Sequence, residues 1–194
     1  MVVLVVMKRP RIYLAGPEVF LPDPIEAGRI KVALCAEHGL DGVYPLDASL
    51  PLAGLAKPTQ AALISRSNED LMRSCDAAIA NLTPFRGVSA DAGTAFEVGF
   101  MRALGRPVLG YTNATATYLE RSQTYRNGAR LPFDGDAKDI AIEDFDLAEN
   151  LMIEIAIQAS GSRLVRHTPA PAQEMTDLEG FRVCLAEARR LLVG

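Results

Sequence analysis

The most constraining feature of this 194-residue sequence is a short, almost uninterrupted apolar run, AAIANL, at residues 77–82. A strand that is covered by helices on both faces has no polar side and reads as a continuous apolar run, whereas a strand with one solvated face alternates. The loop segment TPFRG ends the run at residues 83–87. The run therefore predicts a buried strand of a parallel sheet, with helices on both faces of that sheet.

Segments that favour strands alternate with segments that favour helices along most of the chain. Further β-prone segments lie at Arg11–Ala15, Gly42–Pro45 and Pro107–Tyr111. Helical patterns lie at Asp23–His38, Thr59–Ser74, Asp91–Leu104, Asp146–Ser160 and Thr176–Leu192. In these patterns apolar residues recur at three- and four-residue spacing, as on one face of a helix. The alternation predicts an α/β fold, a three-layer sandwich around a central parallel sheet of about five strands.

The length favours a single domain over residues 1–194, because two domains would each have only a small core. Residues 1–10 are expected to form an N-terminal extension, and the apolar run within it, Met1–Met7, is too short to cross a membrane. That run is either a strand or a disordered segment ahead of the first strand. Residues 112–139 lack a period and contain Arg, Asn, Gly and Asp throughout, so we expect a long surface loop or lid there.

Composition argues against several functional classes. Twenty basic and 24 acidic residues give a net charge of -4, which offers no positive excess for a nucleic-acid polymer. Three scattered cysteines without C-x-x-C spacing, together with only two histidines, predict neither a disulfide framework nor a metal site. Reduced thiols and the lack of an export signal are typical of a cytoplasmic protein that does not associate with membranes.

Cofactor and phosphate motifs are also missing. The sequence has no G-x-x-x-x-G-K-[ST], no G-x-G-x-x-G after the first strand and no G-x-S-x-G. Both histidines, His38 and His167, fall outside the loops that follow the strands. The first of these loops begins Gly16-Pro17-Glu18, where Pro17 lacks an N–H donor and Glu18 would repel an anion. The pattern therefore predicts no cofactor and a neutral ligand.

Two carboxylates, Asp91 and Glu97, follow the loop after the central run. Right-handed crossovers place such loops along one edge of a parallel sheet, where ligands bind. Glu97 lies between Phe96 and Val98, and an ionised carboxylate in an apolar setting is costly unless a group pairs with it. A structural ion pair for Glu97 and a helix N-cap for Asp91 remain open. The functional alternative is cleavage of a glycosidic bond by a nucleophile and an acid.

Three segments resemble the signature sequences of nucleoside 2-deoxyribosyltransferases. They read RIYLAGPEVFLPD at residues 11–23, CDAAIANLTPFRG at 75–87 and DAGTAFEVGF at 91–100, in the order and spacing of that family. A fourth segment, ENLM at 149–152, resembles the one that in this family reaches into the active site of a neighbouring subunit. The resemblance spans residues 11–157 and implies a flavodoxin-like or Rossmann-like sheet. It also implies a homo-oligomer with shared active sites that acts in nucleotide salvage, with nucleosides and nucleobases as its partners.

The resemblance further implies the role of each matching residue. Glu97 would attack the anomeric carbon of a 2'-deoxynucleoside, and a second base would then take the deoxyribosyl group from the enzyme. Tyr13 would hydrogen-bond Glu97, and Asp91 would bind the sugar hydroxyls. Asn150 of a second subunit would complete the sugar site, and Phe20 would line the base pocket. The other implied substrate contacts are Gly16, Pro17, Asn68, Asp70, Gly93 and Met152.

The proton donor for the leaving base is left open between two residues of the helix before the central strand. Counting back eight residues from Asp76 without a gap gives Asn68, whereas Asp70 is reached only with a two-residue gap. We favour Asn68 as a contact to base or sugar and Asp70 as the candidate acid. Asp76, at the start of a strand, belongs to the opposite end of the sheet and is expected to be structural.

Two other functions stay open beside base exchange. One is a hydrolase in which water resolves the intermediate, including deoxynucleoside 5'-monophosphate N-hydrolases, although the charge of Glu18 argues against their phosphate site. The other is a non-catalytic nucleoside-binding module, which Ala or Gln at position 97 would have favoured. Within the enzyme interpretation, the segment Gly93–Arg102 is similar to purine-preferring members, so a purine preference is expected.

Overall fold

The computed structural model describes residues 8–47, 50–128 and 141–194. Five strands form one sheet: β1 Arg11–Ala15, β2 Asp41–Val43, β3 Ala77–Asn81, β4 Val108–Thr112 and β5 Leu164–Arg166. Their order is β2-β1-β3-β4-β5, and all neighbours pair in parallel. The predicted parallel α/β sheet is confirmed, with the apolar run as its central strand. The expectation for Met1–Met7 lies outside the described residues.

The described residues contain six α-helices and two short 3₁₀ helices. The α-helices are α1 Pro24–Glu37, α2 Lys57–Arg73, α3 Ala92–Ala103, α4 Tyr118–Gly128, α5 Leu151–Gln158 and α6 Glu179–Leu192. The 3₁₀ helices, Pro17–Phe20 and Pro45–Asp47, follow β1 and β2. None of the helices in the described part of the chain is long and apolar enough to cross a membrane.

The helices cover both faces of the sheet because successive strand residues point to opposite sides. On one face, Tyr13 and Ala15 of β1 belong to a core shared with α2, α3 and α5. On the other face, Ile12 and Leu14 pack in a core shared with α1 and α6. All five residues of β3 are buried, which explains the uninterrupted apolar run.

Helix α4 corrects the expectation of a long surface loop or lid over residues 112–139. Thr117 and Glu120 form a capping box: the Glu120 N–H donates to Thr117 Oγ1 at 3.2 Å, and Glu120 Oε2 accepts from the Thr117 N–H at 2.6 Å. The helix has no fully buried residue, so its sequence carries no apolar stripe. Residues 129–140 of the expected loop lie outside the described residues.

Candidate active site

A cleft of about 300 Å³ lies where β1 and β3 end side by side, as Ala15 pairs with Ala80. It is lined by Gly16, Val19, Phe20, Pro45, Leu46, Ile64, Asn68, Asp91, Gly93, Thr94 and Glu97. These residues come from the segments after β1, β2 and β3 and from helices α2 and α3. The cleft therefore occupies the edge at which parallel α/β sheets bind ligands.

The tightest polar contact at the cleft joins Tyr13 and Glu97, whose side chains come from β1 and α3. The Tyr13 hydroxyl donates to Glu97 Oε1 at 2.6 Å, across 84 residues of sequence. Tyr13 is fully buried beneath Glu97, because β1 turns this residue toward the face that α3 covers. The contact fixes one carboxylate oxygen of Glu97 and leaves Oε2 for the cleft.

Burial raises the pKa of Glu97 to about 7, and the negative charges of Asp91 and Glu18 act in the same direction. The hydrogen bond from Tyr13 opposes this shift because it favours the ionised carboxylate. Burial and the charge of Glu97 also hold the pKa of Tyr13 far above its usual range, so the phenol remains a donor. Phe96 is more than half exposed, at 56%, so it does not supply the burial that the sequence had suggested.

Asp91 caps helix α3 and lines the cleft at the same time. Its Oδ2 accepts from the backbone N–H groups of Gly93 at 2.9 Å and Thr94 at 3.3 Å. The N-cap expected for this residue is thus present. Because Oδ2 makes both bonds, the second carboxylate oxygen, Oδ1, is left to a ligand.

Glu149 holds the loop that precedes Asp91, a role that the sequence did not suggest. Its Oε2 accepts from the Ala90 N–H at 3.1 Å, and its Oε1 accepts from the Ser89 hydroxyl. Arg121 lies 3.5 Å from the same carboxylate and donates to the carbonyls of Val88 and Ala148. The start of α3, and with it both acids of the cleft, is therefore tied to α4 and to the segment before α5.

Of three expected substrate contacts in the first loop and α2, namely Pro17, Asn68 and Asp70, only Asn68 lines the cleft. Asn68 lines the cleft, whereas Asp70 does not; its exposed carboxylate pairs with Arg73 at 3.3 Å. Residues two apart on a helix point about 200° apart around its axis, so only one of the two can face the cleft. Pro17 is buried at the start of its 3₁₀ helix and is not among the lining residues. Gly16, Phe20 and Gly93 all line the cleft.

Asn150 and Met152 lie outside this cleft, at the start of α5. Asn150 caps the helix by accepting from the Met152 N–H at 3.0 Å, and its amide donates to Glu143 at 2.7 Å. Met152 is 73% exposed, although it is a large apolar side chain. Neither residue lines the cleft of its own chain.

The first loop turns Glu18 away from the cleft. This corrects the expectation that the charge of Glu18 would repel an anionic ligand. Glu18 is buried behind the loop, and its Oε1 accepts from Lys31 at 2.7 Å, Asn81 at 3.0 Å and Tyr111 at 3.1 Å. Gly16 is needed for this turn, because a Cβ there would collide with Glu18 Oε2. Glu18 therefore anchors the loop, and its charge lies behind the loop and is paired with Lys31 instead of facing a ligand in the cleft.

Among the described residues, no cluster of His, Cys, Asp or Glu is arranged to hold a metal ion. All three cysteines are buried, and burial raises the pKa of Cys35 and Cys184 to about 12 and that of Cys75 to about 11. His38 and His167 are partly exposed and do not line the cleft. The chemistry available there is therefore that of two carboxylates, one phenol, one amide and the hydroxyl of Thr94.

Known proteins resemble this chain in sequence and in fold. The family model for nucleoside 2-deoxyribosyltransferases matches residues 12–152. A solved structure of a 2-deoxyribosyltransferase from Leishmania mexicana is 36% identical, covers 74% of this chain and 85% of its own, and superposes with a TM-score of 0.56. A conserved protein from Enterococcus faecalis shares the fold, with a TM-score of 0.54, 21% identity and coverage of 93% and 99%. An uncharacterised protein of Schizosaccharomyces pombe is 33% identical over 79% of this chain and 80% of its own length.

Proposed function

Because the chain belongs to the nucleoside 2-deoxyribosyltransferase family, we propose that it transfers 2-deoxyribose between nucleobases through a covalent intermediate on Glu97. The family is one of enzymes of the deoxyribosyltransferase type, which act on nucleosides and nucleobases. The observation that supports the finer statement is the Tyr13 to Glu97 hydrogen bond of 2.6 Å in a cleft that also holds Asp91.

The first displacement uses the free oxygen of Glu97. Tyr13 holds Oε1, so Oε2 attacks the anomeric carbon while the bond from that carbon to the base breaks and its electron pair leaves with the base. Asp91 Oδ1 accepts hydrogen bonds from the sugar hydroxyls. A second base then attacks the same carbon from the opposite side, so two inversions give overall retention.

The charges of the cleft favour an unphosphorylated nucleoside. Its described lining contains two carboxylates, Asp91 and Glu97, and no Lys, Arg or His. A 5'-phosphate beside Asp91 and Glu97 would therefore meet like charges and no cation among the lining residues, which disfavours nucleotides as substrates. The rest of the wall is largely apolar, with Val19, Leu46 and Ile64 suited to the faces of a base. We propose purines as the preferred bases, on the similarity of residues 93–102 to purine-preferring members.

We also propose that the enzyme is a cytoplasmic homo-oligomer of nucleotide salvage, in which Asn150 and Met152 complete the sugar site of a neighbouring subunit. Helices α3 and α5 lie side by side and expose apolar side chains, among them Phe96, Met152 and Ile155 at 56%, 73% and 46%. Patches of this kind on a water-exposed surface are typical of protein interfaces. On α5 the patch begins at Met152, two residues after Asn150.

The test is to incubate the protein with deoxyinosine and free adenine and to follow the products by chromatography. Deoxyadenosine together with hypoxanthine is the expected result. Hypoxanthine with free deoxyribose would instead make water the acceptor, and an unchanged mixture would reject the enzyme for purines. Glu97→Gln is the matched control: it keeps an acceptor for Tyr13 but should lower turnover by several orders of magnitude, because the covalent route is lost.

A further inference from the structure

An arginine stands at the rim of the cleft, next to the aromatic wall. The guanidinium of Arg86 lies 4.7 Å from the ring centre of Phe20 and 4.6 Å from that of Phe85. The two rings are stacked, with centres 5.5 Å apart and planes 13° apart. Since Phe20 lines the cleft, the guanidinium lies directly beside one of its walls.

The donors of Arg86 are not used by the protein. Within the described residues, no carboxylate pairs with Arg86 and no backbone or side-chain acceptor takes a hydrogen bond from it; its contacts are the two aromatic rings. A guanidinium has five N–H donors in a planar fork, which matches the ring nitrogens and carbonyl oxygens of a nucleobase. The stacked rings hold this cation in place and leave its donors to solvent or to a ligand.

The backbone at this position is strained. Arg86 has a φ of 56°, in the left-handed region that costs a non-glycine residue about 1 to 2 kcal/mol, although a glycine follows directly at position 87. Strain of this kind persists where surrounding structure imposes it, and it concentrates at sites that bind or react. The turn places the guanidinium of Arg86 over the rings of Phe20 and Phe85.

The proposed reaction requires a group near the aromatic wall of the cleft that stabilises the leaving base. The base departs with the electron pair of the glycosidic bond, so negative charge develops on it while positive charge develops on the sugar. Glu97 and Asp91 stabilise the sugar end. Asn68 lines the cleft but its amide cannot give up a proton, and Asp70 lies outside the lining.

Resting on the proposed function, we propose that Arg86 is a catalytic residue that hydrogen-bonds the leaving nucleobase and stabilises the negative charge that forms on it. Glu97 Oε2 bonds to the anomeric carbon, the carbon to nitrogen bond breaks, and the electron pair stays on the base nitrogen. The base leaves as an anion paired with the guanidinium and takes its proton from solvent. Arg86 is unchanged at the end of the step, and it serves the incoming base in the same way in reverse.

The polarity of the site then matches the transition state, with two carboxylates near the sugar and one cation near the base. Preorganised charges aimed at the place where charge develops are the largest contribution in many enzymes, and removal of one such donor costs about 100-fold in turnover. The arrangement selects bases with an acceptor on the edge that faces Arg86. The proposal predicts that loss of Arg86 lowers kcat most for substrates whose base leaves as an anion.

Two substrates separate this role from a purely structural one. Deoxyinosine loses its base as an anion, whereas 7-methyl-2'-deoxyguanosine carries a positive charge on its base and loses it as a neutral molecule. Arg86→Asn removes the cation and keeps a residue that tolerates the left-handed backbone. We expect kcat to fall about 100-fold with deoxyinosine and by less than about threefold with the methylated substrate. Arg86→Lys keeps the charge without the fork and should give an intermediate loss.

Circular dichroism and thermal melting of each variant show that the comparison is made on folded protein. An equal loss on both substrates would overturn the proposal, because Arg86 would then only hold Phe20 in place. Unchanged kcat on deoxyinosine in Arg86→Asn would overturn it as well. If the wild-type protein released no base from either substrate, the proposed function itself would fail, which is a different result from a wild-type enzyme that is insensitive to Arg86.

Discussion

A single hydrogen bond opposes the forces that keep Glu97 protonated. Burial and two nearby carboxylates raise the pKa of Glu97 to about 7, and the Tyr13 hydroxyl lowers it by favouring the ionised form. The proposed attack of Glu97 on the sugar requires its ionised carboxylate. Activity of the wild-type protein should therefore be low in acid, rise as the pH passes through about 7 and level off above it.

Tyr13→Phe removes the hydroxyl and leaves the other influences on Glu97 in place. The acidic limb of kcat/KM against pH should move to higher pH, since the one interaction that lowers the pKa of Glu97 is lost. At neutral pH we expect a loss of about 10- to 100-fold, in part from the smaller ionised fraction and in part from the unfixed carboxylate. The measurement is a pH profile on deoxyinosine; a limb that stays or moves to lower pH contradicts the assignment.

At the scale of elements, one buried ion pair anchors the loop that forms a wall of the cleft. Lys31 of α1 and Glu18 of the first loop are 1% and 3% exposed, and their side chains lie 2.7 Å apart. The Lys31 ammonium also lies 4.8 Å from the ring centre of Phe181 on α6. The pair thus joins the first loop to the two helices on the far side of the sheet.

Lys31→Met should strongly destabilise the fold, because it leaves the Glu18 carboxylate buried without a cation. Loss of one partner of such a pair costs about 3 to 5 kcal/mol in the free energy of unfolding. The double variant Glu18→Gln with Lys31→Met buries no charge and keeps an acceptor for Asn81 and Tyr111, so it should recover much of this loss. Urea denaturation of the two variants measures the difference, and equal stabilities would show that the pair does not anchor the loop.

The sequence predicted the helices and strands whose buried faces produce a recognisable pattern of apolar residues. Strand β3 is covered on both faces and reads as an apolar run, and α6 has one buried face with apolar residues at helical spacing. Helix α4 was missed because it buries no residue fully, although its capping box at Thr117 and Glu120 was visible in the sequence. Strand β5 has only three residues, and one of them is exposed, too little to show an alternation.

For the candidate site, sequence reasoning found the residues but not their directions. Topology placed the segments that carry Asp91 and Glu97 at one edge, and the family resemblance implied the contact of Tyr13 with Glu97. The structure brings these three side chains together. The orientation of Glu18 depends on the 3₁₀ turn after β1 and on Lys31, thirteen residues away, so its charge was assigned to the wrong side of the loop. Arg86 drew no notice because its role depends on two rings brought together from different loops.

At the scale of the whole molecule, the proposed sharing of sites between subunits can be tested by mixing two inactive variants. Glu97→Ala lacks the nucleophile, and Asn150→Ala lacks the residue that is proposed to complete the neighbour's sugar site. In a mixed dimer one site combines an intact Glu97 with an intact Asn150 from the other chain. Random reassociation should therefore restore about a quarter of the wild-type activity.

Each variant alone serves as the control, and light scattering reports whether the subunits associate. Both variants should be inactive separately and should gain activity only after they are unfolded and refolded together or exchange subunits. A mixture that stays inactive despite subunit exchange contradicts shared sites. An active wild-type monomer would contradict them more directly, since one chain would then suffice.

The apolar wall of the cleft has a consequence for how this protein can change over generations. Phe20, Leu46 and Ile64 are 50%, 42% and 42% exposed, so they form the surface that a base would touch while contributing little to the core. The residues that hold the wall in place, Glu18 and Lys31, lie behind it and out of reach of the ligand. Mutations at these three residues should therefore change the free energy of unfolding little. A laboratory selection for acceptance of other nucleobase analogues by the proposed enzyme has its targets at these three positions.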